Sequence, residues 1–201
     1  MIALSQPEPG RRWEIPDHLL TIEEYAALGE TDSGFTELVE GRVVMSPSPI
    51  PDHNDALLEL AQQVIPQVPG HLKVLLDTDV DLGLAPKGRP GHSRRPDLLV
   101  VERTALIRVR QTKGMLRAED LALVAEIVSP GSRRTDYQVK HDEYADAGIP
   151  HYWIVDITEP VSLVACHQAG EFGYQDASAV TGTFATDVPF PVKIDLDALL
   201  S

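Results

Sequence analysis

An apolar stretch that contains a single charge limits the folds open to this chain. Residues 121–128 read Leu-Ala-Leu-Val-Ala-Glu-Ile-Val, which is the length and composition of a β-strand buried on both faces. Strands of this kind are typical of α/β sheets. A carboxylate inside one destabilises the fold unless a cation, a metal ion or hydrogen-bond donors compensate its charge. Glu126 is therefore a candidate functional residue.

A second carboxylate stands at the start of another predicted strand. Asp97 follows Pro96 directly and precedes the apolar run 98–101. If the two strands are neighbours, Asp97 and Glu126 lie close together, and a divalent cation relieves their repulsion. The two carboxylates predict a site for a hard metal ion.

These residues, with a lysine nearby, resemble the PD-(D/E)XK nuclease superfamily. Three longer segments, residues 35–47, 126–132 and 148–156, closely resemble the Uma-two family of restriction-endonuclease-like proteins within it. The resemblance covers roughly residues 20–160, and the ordered series of segments is more specific than Pro-Asp alone. It implies an α/β fold with a restriction-endonuclease-like core, in which helices flank a central mixed β-sheet in a single domain.

One position departs from the superfamily motif. The residue two after Glu126, where the motif has lysine, is Val128. The resemblance implies that the lysine has moved to the following helix, predicted over residues 135–147, where Lys140 is the candidate. Asp136, Lys140 and Tyr144 follow i, i+4 spacing and so share one helix face. The alternative is an exposed ion pair between Asp136 and Lys140.

The resemblance also implies a set of metal ligands. Mg²⁺ or Mn²⁺ would be held by Asp97, Glu126 and the backbone carbonyl of Ile127. Glu37 lies on the first strand of a predicted hairpin, residues 35–40 and 42–45, and is a candidate third acidic residue of the site. A glutamate on the solvent face of that strand is the alternative.

The charge distribution is uneven. The net charge of −14 argues against a nucleic-acid partner, yet residues 87–140 contain 12 Lys and Arg against 6 Asp and Glu, a local balance of +6. Within the loop predicted over residues 85–96, phosphate contacts are expected from Lys87, Arg89, Arg94 and Arg95. Since this loop leads to Asp97, it would hold a phosphate backbone beside the metal. The alternatives are solvated charges on separate loops and an ordinary mobile basic loop.

Other polar residues are weaker candidates. His53 has no second histidine at helical spacing, which favours a capping or surface role over metal ligation. The aspartates at 77, 79 and 81 alternate along a predicted strand and lack the glycine and glutamate of a calcium loop, so they indicate a solvated face, although Asp77 or Asp79 could lie near the site. Cys166, the single cysteine, excludes an intramolecular disulfide and a cysteine-rich zinc cluster; its apolar neighbours indicate a small buried side chain.

The length of 201 residues fits one domain. We expect a loose N-terminal segment at residues 1–17 and a single domain at residues 18–201, with the motif core at about 35–157. Helices are predicted at residues 21–28 and from Asp52, as a candidate N-cap, to about Pro66. A weakly structured basic connection is predicted at 103–120, one or two strands at 73–84, and further strands at 152–157 and 161–166. The terminus lacks a leader pattern and no apolar stretch reaches about 18 residues, so a cytoplasmic protein without a membrane span is expected.

The leading functional hypothesis is a metal-dependent DNA endonuclease that uses Mg²⁺ or Mn²⁺, with Lys140 orienting or deprotonating the attacking water. Because nucleases that cut both strands of a duplex commonly pair their sites, a homodimer is expected. The alternative is a catalytically inactive nuclease-like module that binds nucleic acid or protein. A glycosidase fits poorly, and the motifs of serine hydrolases and P-loop enzymes are missing from the sequence.

Overall fold

The computed structural model describes residues 16–29, 34–46 and 48–200. The N-terminal segment predicted at 1–17 lies almost wholly outside the described residues. In chain order the helices and strands are α1 (Ile22–Leu28), β1 (Thr36–Val39), β2 (Arg42–Met45), α2 (Pro51–Val64), β3 (Leu72–Leu76), β4 (Val80–Asp81), β5 (Ser93–Arg94), β6 (Leu98–Glu102), α3 (Arg103–Thr112), β7 (Leu116–Arg117), β8 (Leu121–Val128), α4 (Lys140–Asp146), β9 (His151–Asp156), β10 (Ser162–Gln168), β11 (Tyr174–Asp176), β12 (Val180–Thr181), β13 (Thr183–Thr186) and β14 (Val192–Asp195).

The main sheet is mixed and is built around the apolar strand that carries Glu126. Its strands follow the order β11-β10-β9-β8-β6-β3, with β12 also paired to β10. Strand β8 runs antiparallel to β6 and parallel to β9. Every residue of β8 except Ala122 is buried, as the sequence predicts for a central strand.

Successive residues of β8 face two separate layers. Leu123, Ala125 and Ile127 belong to the core that contains the apolar face of α2 and strands β13 and β14. Leu121, Val124 and Val128 belong to the core formed with α3, α4, β4 and β7. Because side chains alternate along a strand, Glu126 faces the second layer and therefore α4.

A second sheet carries Glu37 and Arg94. Its order is β2-β1-β5-β4-β7, and it begins with the predicted hairpin of β1 and β2. Helix α1 starts with the expected capping box, in which Glu24 N–H donates to Thr21 and Thr21 N–H donates to the Glu24 carboxylate. Strand β5 pairs with β1 and leads through Pro96 to β6, so the stretch that contains Arg94 and Asp97 lies beside Glu37 of β1.

The prediction of a weakly structured connection at residues 103–120 was wrong in part. It contains the ten-residue helix α3 and the short strand β7. Ala105 is buried on the inner face of the helix, and Leu106 and Val109 pack against the same core, while Arg103 and Arg110 are exposed. Few apolar residues are enough here because they meet an existing sheet.

The region 73–84, predicted as one or two strands, forms two, because Asp77, whose φ is +47°, ends β3 before β4 begins. One boundary differs from the prediction. Helix α2 begins with Ile50 as its N-cap and Pro51 at its first position, so Asp52 lies in the first turn and does not cap it. No helix among the described residues is long and apolar enough to span a membrane.

Candidate active site

The pairing of β6 with β8 brings Asp97 to Glu126. Leu98 is the partner of Ala125 in this antiparallel pair, so Asp97 and Glu126 lie across from each other where β6 begins. An Asp97 carboxylate oxygen accepts a hydrogen bond from Ile127 N–H at 2.7 Å. The N–H and C=O of one strand residue point to the same side, so the Ile127 carbonyl also faces this edge.

Glu126 is compensated from helix α4. Its side chain is 2% exposed, and Lys140 Nζ lies 2.9 Å from Glu126 Oε1. The Tyr144 hydroxyl donates to the same oxygen at 2.6 Å. Burial raises the pKa of Glu126 well above its usual range; Lys140 opposes the rise, while the Asp97 and Asp136 carboxylates add to it. The group that most needs a nearby cation is therefore at the centre of the site.

Lys140 lies among four carboxylates. Besides Glu126, its Nζ lies 3.7 Å from Asp136 and 3.8 Å from Glu37. Burial favours the neutral amine, but the charges of Glu126, Glu37, Asp136 and Asp97 outweigh it and raise the pKa of Lys140. The alternative of an exposed Asp136–Lys140 ion pair is therefore wrong. Both residues belong to a buried network of charges that favours the charged form of Lys140.

Asp97 is held in its charged form. Burial acts to raise its pKa, but His53, Lys140 and the Ile127 N–H together lower it. The His53 Nε2 atom lies 3.2 Å from Asp97 Oδ2. The environments of Asp97 and Glu126 therefore push their pKa values in opposite directions, as in many sites where one acidic group handles a proton and another remains ionised.

Glu37 reaches the site from strand β1. One carboxylate oxygen accepts from the Arg94 guanidinium at 2.7 Å, and the other accepts from the Arg95 backbone N–H at 3.1 Å. The side chain is buried, so the solvent-facing alternative is wrong. Arg94 and the loop backbone fix Glu37 beside Lys140.

Two of the four predicted phosphate contacts are engaged within the protein. Arg94 is buried, and its guanidinium also donates to both oxygens of Glu143 at 2.6 and 2.7 Å. Arg95 donates to both oxygens of Asp79 at 2.9 Å. Arg94 is therefore buried and not available at the surface, and its contribution to the site is to position Glu37.

Lys87 and Arg89 have a different setting. Both are exposed in the loop between β4 and β5, and neither forms an ion pair with the described residues. Part of the basic excess of residues 87–140 is neutralised by carboxylates outside that segment, since Arg95 pairs with Asp79 and Arg133 with Asp156. The overall charge balance of that segment therefore overstates the positive surface it presents.

Several residues of the site had no clear signal in the sequence. His53 comes from the first turn of α2, 44 positions before Asp97, and its contact with Asp97 differs from the capping or surface role that was favoured. Asp136 is buried in the π-helical turn Thr135–Val139 that leads into α4. Its i, i+4 relation to Lys140 was the only indication available for it. Glu143 could not be linked to Arg94 without the fold.

The site lies in an open cleft. A cavity of about 560 Å³ is lined by Glu37, His53, Asp97, Glu126 and Lys140, together with residues of the turn 129–132. This volume is in the range of ligand-binding clefts. The predicted carboxylates and the lysine thus share one accessible cleft.

Comparison with known proteins identifies the family of the chain. The sequence profile of the Uma2 family, described as "Putative restriction endonuclease", matches residues 22–197. The chain belongs to the Uma2 family. The match covers more of the chain than the resemblance noted in the sequence, because it includes strands β10 to β14 as well as the motif core. No curated protein matches the sequence.

A solved structure has the same fold. It is the crystal structure of a putative nuclease belonging to DUF820 from Anabaena variabilis, with a TM-score of 0.66 and 19% sequence identity. The similarity covers 90% of this chain and 97% of that chain. The predicted α/β, restriction-endonuclease-like fold with its central mixed sheet is therefore confirmed.

Proposed function

We propose that this Uma2 protein is a divalent-metal-dependent endonuclease that hydrolyses phosphodiester bonds of DNA. The observation that carries the proposal is the convergence of Asp97, Glu126 and Lys140 at the start of β6, in an open cleft and in a chain of this family. Two carboxylates and a lysine at one strand edge match the chemistry that the sequence resemblance implies.

The donor atoms fit a hard divalent ion. The carboxylates of Asp97 and Glu126 and the carbonyl of Ile127 are oxygen ligands, which Mg²⁺ and Mn²⁺ prefer. Glu37 would complete the shell or support a second ion. When bound, the metal would polarise the phosphodiester and lower the pKa of a bound water.

The carboxylates around Lys140 raise its pKa. This supports a role for Lys140 as a positive charge and hydrogen-bond donor. We infer that Lys140 orients the attacking water and stabilises negative charge that develops on the phosphoryl oxygens. The raised pKa of Lys140 favours orientation of the attacking water over its deprotonation, the two roles considered from the sequence.

The DNA backbone would be contacted from the loop between β4 and β5. Lys87 and Arg89 are exposed there and carry the phosphate contacts in this proposal. Arg94 and Arg95 support the site indirectly, since their guanidinium groups are held by carboxylates of the protein.

A homodimer would place two such clefts on one duplex. Accumulation of linear plasmid without a nicked intermediate would support a homodimer.

The inactive-module alternative has one observation in its favour. Lys140 and Tyr144 already satisfy the buried Glu126 oxygen, so the carboxylate is compensated without a metal ion. A module that only binds DNA would need no affinity for Mg²⁺. Metal binding therefore separates the two functions.

The test is calorimetric titration of Mg²⁺ and Mn²⁺ on the wild type, Asp97→Asn and Glu126→Gln, followed by plasmid nicking with the same samples. Asp146→Asn is the matched control, because Asp146 is an exposed carboxylate at the end of α4. We expect binding and nicking in the wild type and the control and neither in the two site variants. Metal-dependent nicking by the Asp97→Asn, Glu126→Gln double variant would refute the assignment.

A further inference from the structure

A second cluster of possible metal ligands lies away from the cleft. His141 of α4, Cys166 of β10 and Asp176 of β11 each offer one ligand atom, and these atoms lie within 4.8 Å of one another. Cys166 and Asp176 are direct partners in the pairing of β10 with β11. His141 Nε2 lies 2.9 Å from Asp176 Oδ1. Three different elements thus meet at this cluster.

The histidine ring is held as metal-binding histidines are held. Its other nitrogen, Nδ1, lies 3.2 Å from the Asp142 carboxylate, the kind of outer contact that fixes the orientation of a ligating imidazole. The Tyr174 ring packs edge-on against His141 with centroids 5.3 Å apart. Both contacts leave Nε2 directed at Asp176, the strand partner of Cys166. This preorganisation is a second indication of a site, independent of the ligand cluster.

The ligand types select the metal. A thiolate and an imidazole favour borderline ions such as Zn²⁺ over Mg²⁺, and a carboxylate is a common third ligand. The burial of the three residues is graded: Cys166 is 1% exposed, His141 is partly buried and Asp176 is exposed. A fourth, water-bound position would therefore lie on the solvent side of the cluster.

We propose that His141 Nε2, Cys166 Sγ and an Asp176 carboxylate oxygen bind one Zn²⁺ ion. On binding, the Cys166 S–H bond breaks, its proton leaves to solvent, and the sulfur donates its electron pair to the ion; no oxidation or reduction occurs. The bound ion would cross-link α4 to strands β10 and β11. Because His141 follows Lys140 directly, this cross-link would also hold the helix that carries Lys140 in place.

The test uses Co²⁺ as a spectroscopic substitute for Zn²⁺, in the presence of excess Mg²⁺ and with the full chain. A sulfur-to-cobalt charge-transfer band in the near ultraviolet reports a Cys166–metal bond, and Zn²⁺ added afterwards should abolish it. We expect this band in the wild type and in Glu126→Gln, and its loss in Cys166→Ser. Retention by Glu126→Gln separates this site from the proposed nuclease site.

Two surface variants keep the test independent of the folding of Cys166→Ser. Asp176→Asn removes an exposed ligand, and Asp142→Asn removes the outer partner of His141; we expect the second to weaken Zn²⁺ binding by roughly 10- to 100-fold. Zn²⁺ should raise the melting temperature of the wild type and not that of Asp176→Asn. Absence of the band in the wild type at saturating Co²⁺, or full affinity in Asp176→Asn, would overturn the proposal.

Discussion

Lys140 Nζ lies 2.9 Å from Glu126 Oε1, although no lysine follows Glu126 on its own strand. A lysine at position 128 would point to the same side of β8 as Glu126, because side chains alternate along a strand. Val128 occupies that position and is buried in the layer that contains α4. Helix α4 covers this same face, so a lysine on the helix reaches the carboxylate that a strand lysine would otherwise meet.

Replacement of Lys140 should separate stability from activity. Lys140→Met leaves Glu126 buried beside two other carboxylates, and we expect a loss of about 3–5 kcal/mol in the free energy of unfolding. Lys140→Met/Glu126→Gln removes both charges and should recover much of that loss, while neither variant should cut DNA. Urea unfolding and plasmid nicking measure the two effects.

Asp146→Asn is again the control, since Asp146 lies on the same helix and is exposed. It should change the unfolding free energy by less than about 0.5 kcal/mol. Nicking by Lys140→Met at the wild-type rate would remove Lys140 from the mechanism.

Local pattern in the sequence was sufficient for much of the scaffold. The apolar run of β8, the capping box of α1 and the hairpin of β1 and β2 each depend on residues close together in the chain. The shared face of Asp136, Lys140 and Tyr144 follows from helical spacing, and all three are buried on it. These features could be predicted because the interactions that define them are short in range.

The contacts that organise the site are long in range and could not be predicted in the same way. Arg94 donates to Glu37, 57 positions away, and to Glu143, 49 positions away. In the sequence, Arg94 is one of several basic residues in a glycine-containing loop, which favoured a phosphate contact. The burial of Arg94 depends on how β5 lies against β1 and α4. These contacts between distant parts of the chain cannot be predicted from a local sequence pattern.

His53 should affect metal binding through Asp97. Its Nε2 contacts the Asp97 carboxylate at 3.2 Å, and outer partners of a metal ligand typically contribute 10- to 100-fold to affinity. We therefore expect His53→Ala to weaken Mg²⁺ binding by roughly that factor while the fold is kept. Calorimetry gives the affinity, and circular dichroism checks the fold.

Asp55→Asn is the matched control, because Asp55 is exposed on the same helix as His53. Equal Mg²⁺ affinities for His53→Ala and Asp55→Asn would show that the contact with Asp97 has no role in holding the ion.

The basic residues of the loop between β4 and β5 and of β5 itself should divide into two groups. Lys87→Ala and Arg89→Ala are expected to lower DNA affinity and to reduce the salt dependence of binding by about 0.9 per lost phosphate contact. Arg94→Met should instead destabilise the protein by about 3–5 kcal/mol, because it removes the guanidinium from the buried Glu37 and the partly buried Glu143. Binding is measured in the Glu126→Gln background, which should not cut the DNA.

An unchanged salt slope in Lys87→Ala/Arg89→Ala would place the DNA elsewhere on the surface. A stable Arg94→Met with weakened DNA binding would return Arg94 to the role of a phosphate contact.

Glu143 should make stability depend on acidity. Burial acts to raise the pKa of Glu143, but contacts with His92 and Arg94 outweigh it and lower the pKa from 4.5 to about 2. A carboxyl whose pKa is lower in the folded state stabilises the protein above its unfolded pKa. This contribution, about 3 kcal/mol, is complete above about pH 5 and is lost as the pH falls from about 4.5 towards 2.

Glu143→Gln should therefore be less stable than the wild type at neutral pH, and the difference should shrink steadily below about pH 4.5. Urea unfolding of both proteins between about pH 7 and 3 measures it. Asp146→Asn, on the same helix, should show little difference from the wild type at neutral pH because Asp146 is exposed and forms no ion pair with the described residues. A Glu143→Gln deficit that stays constant across this range would mean that shape rather than charge holds Glu143 against Arg94.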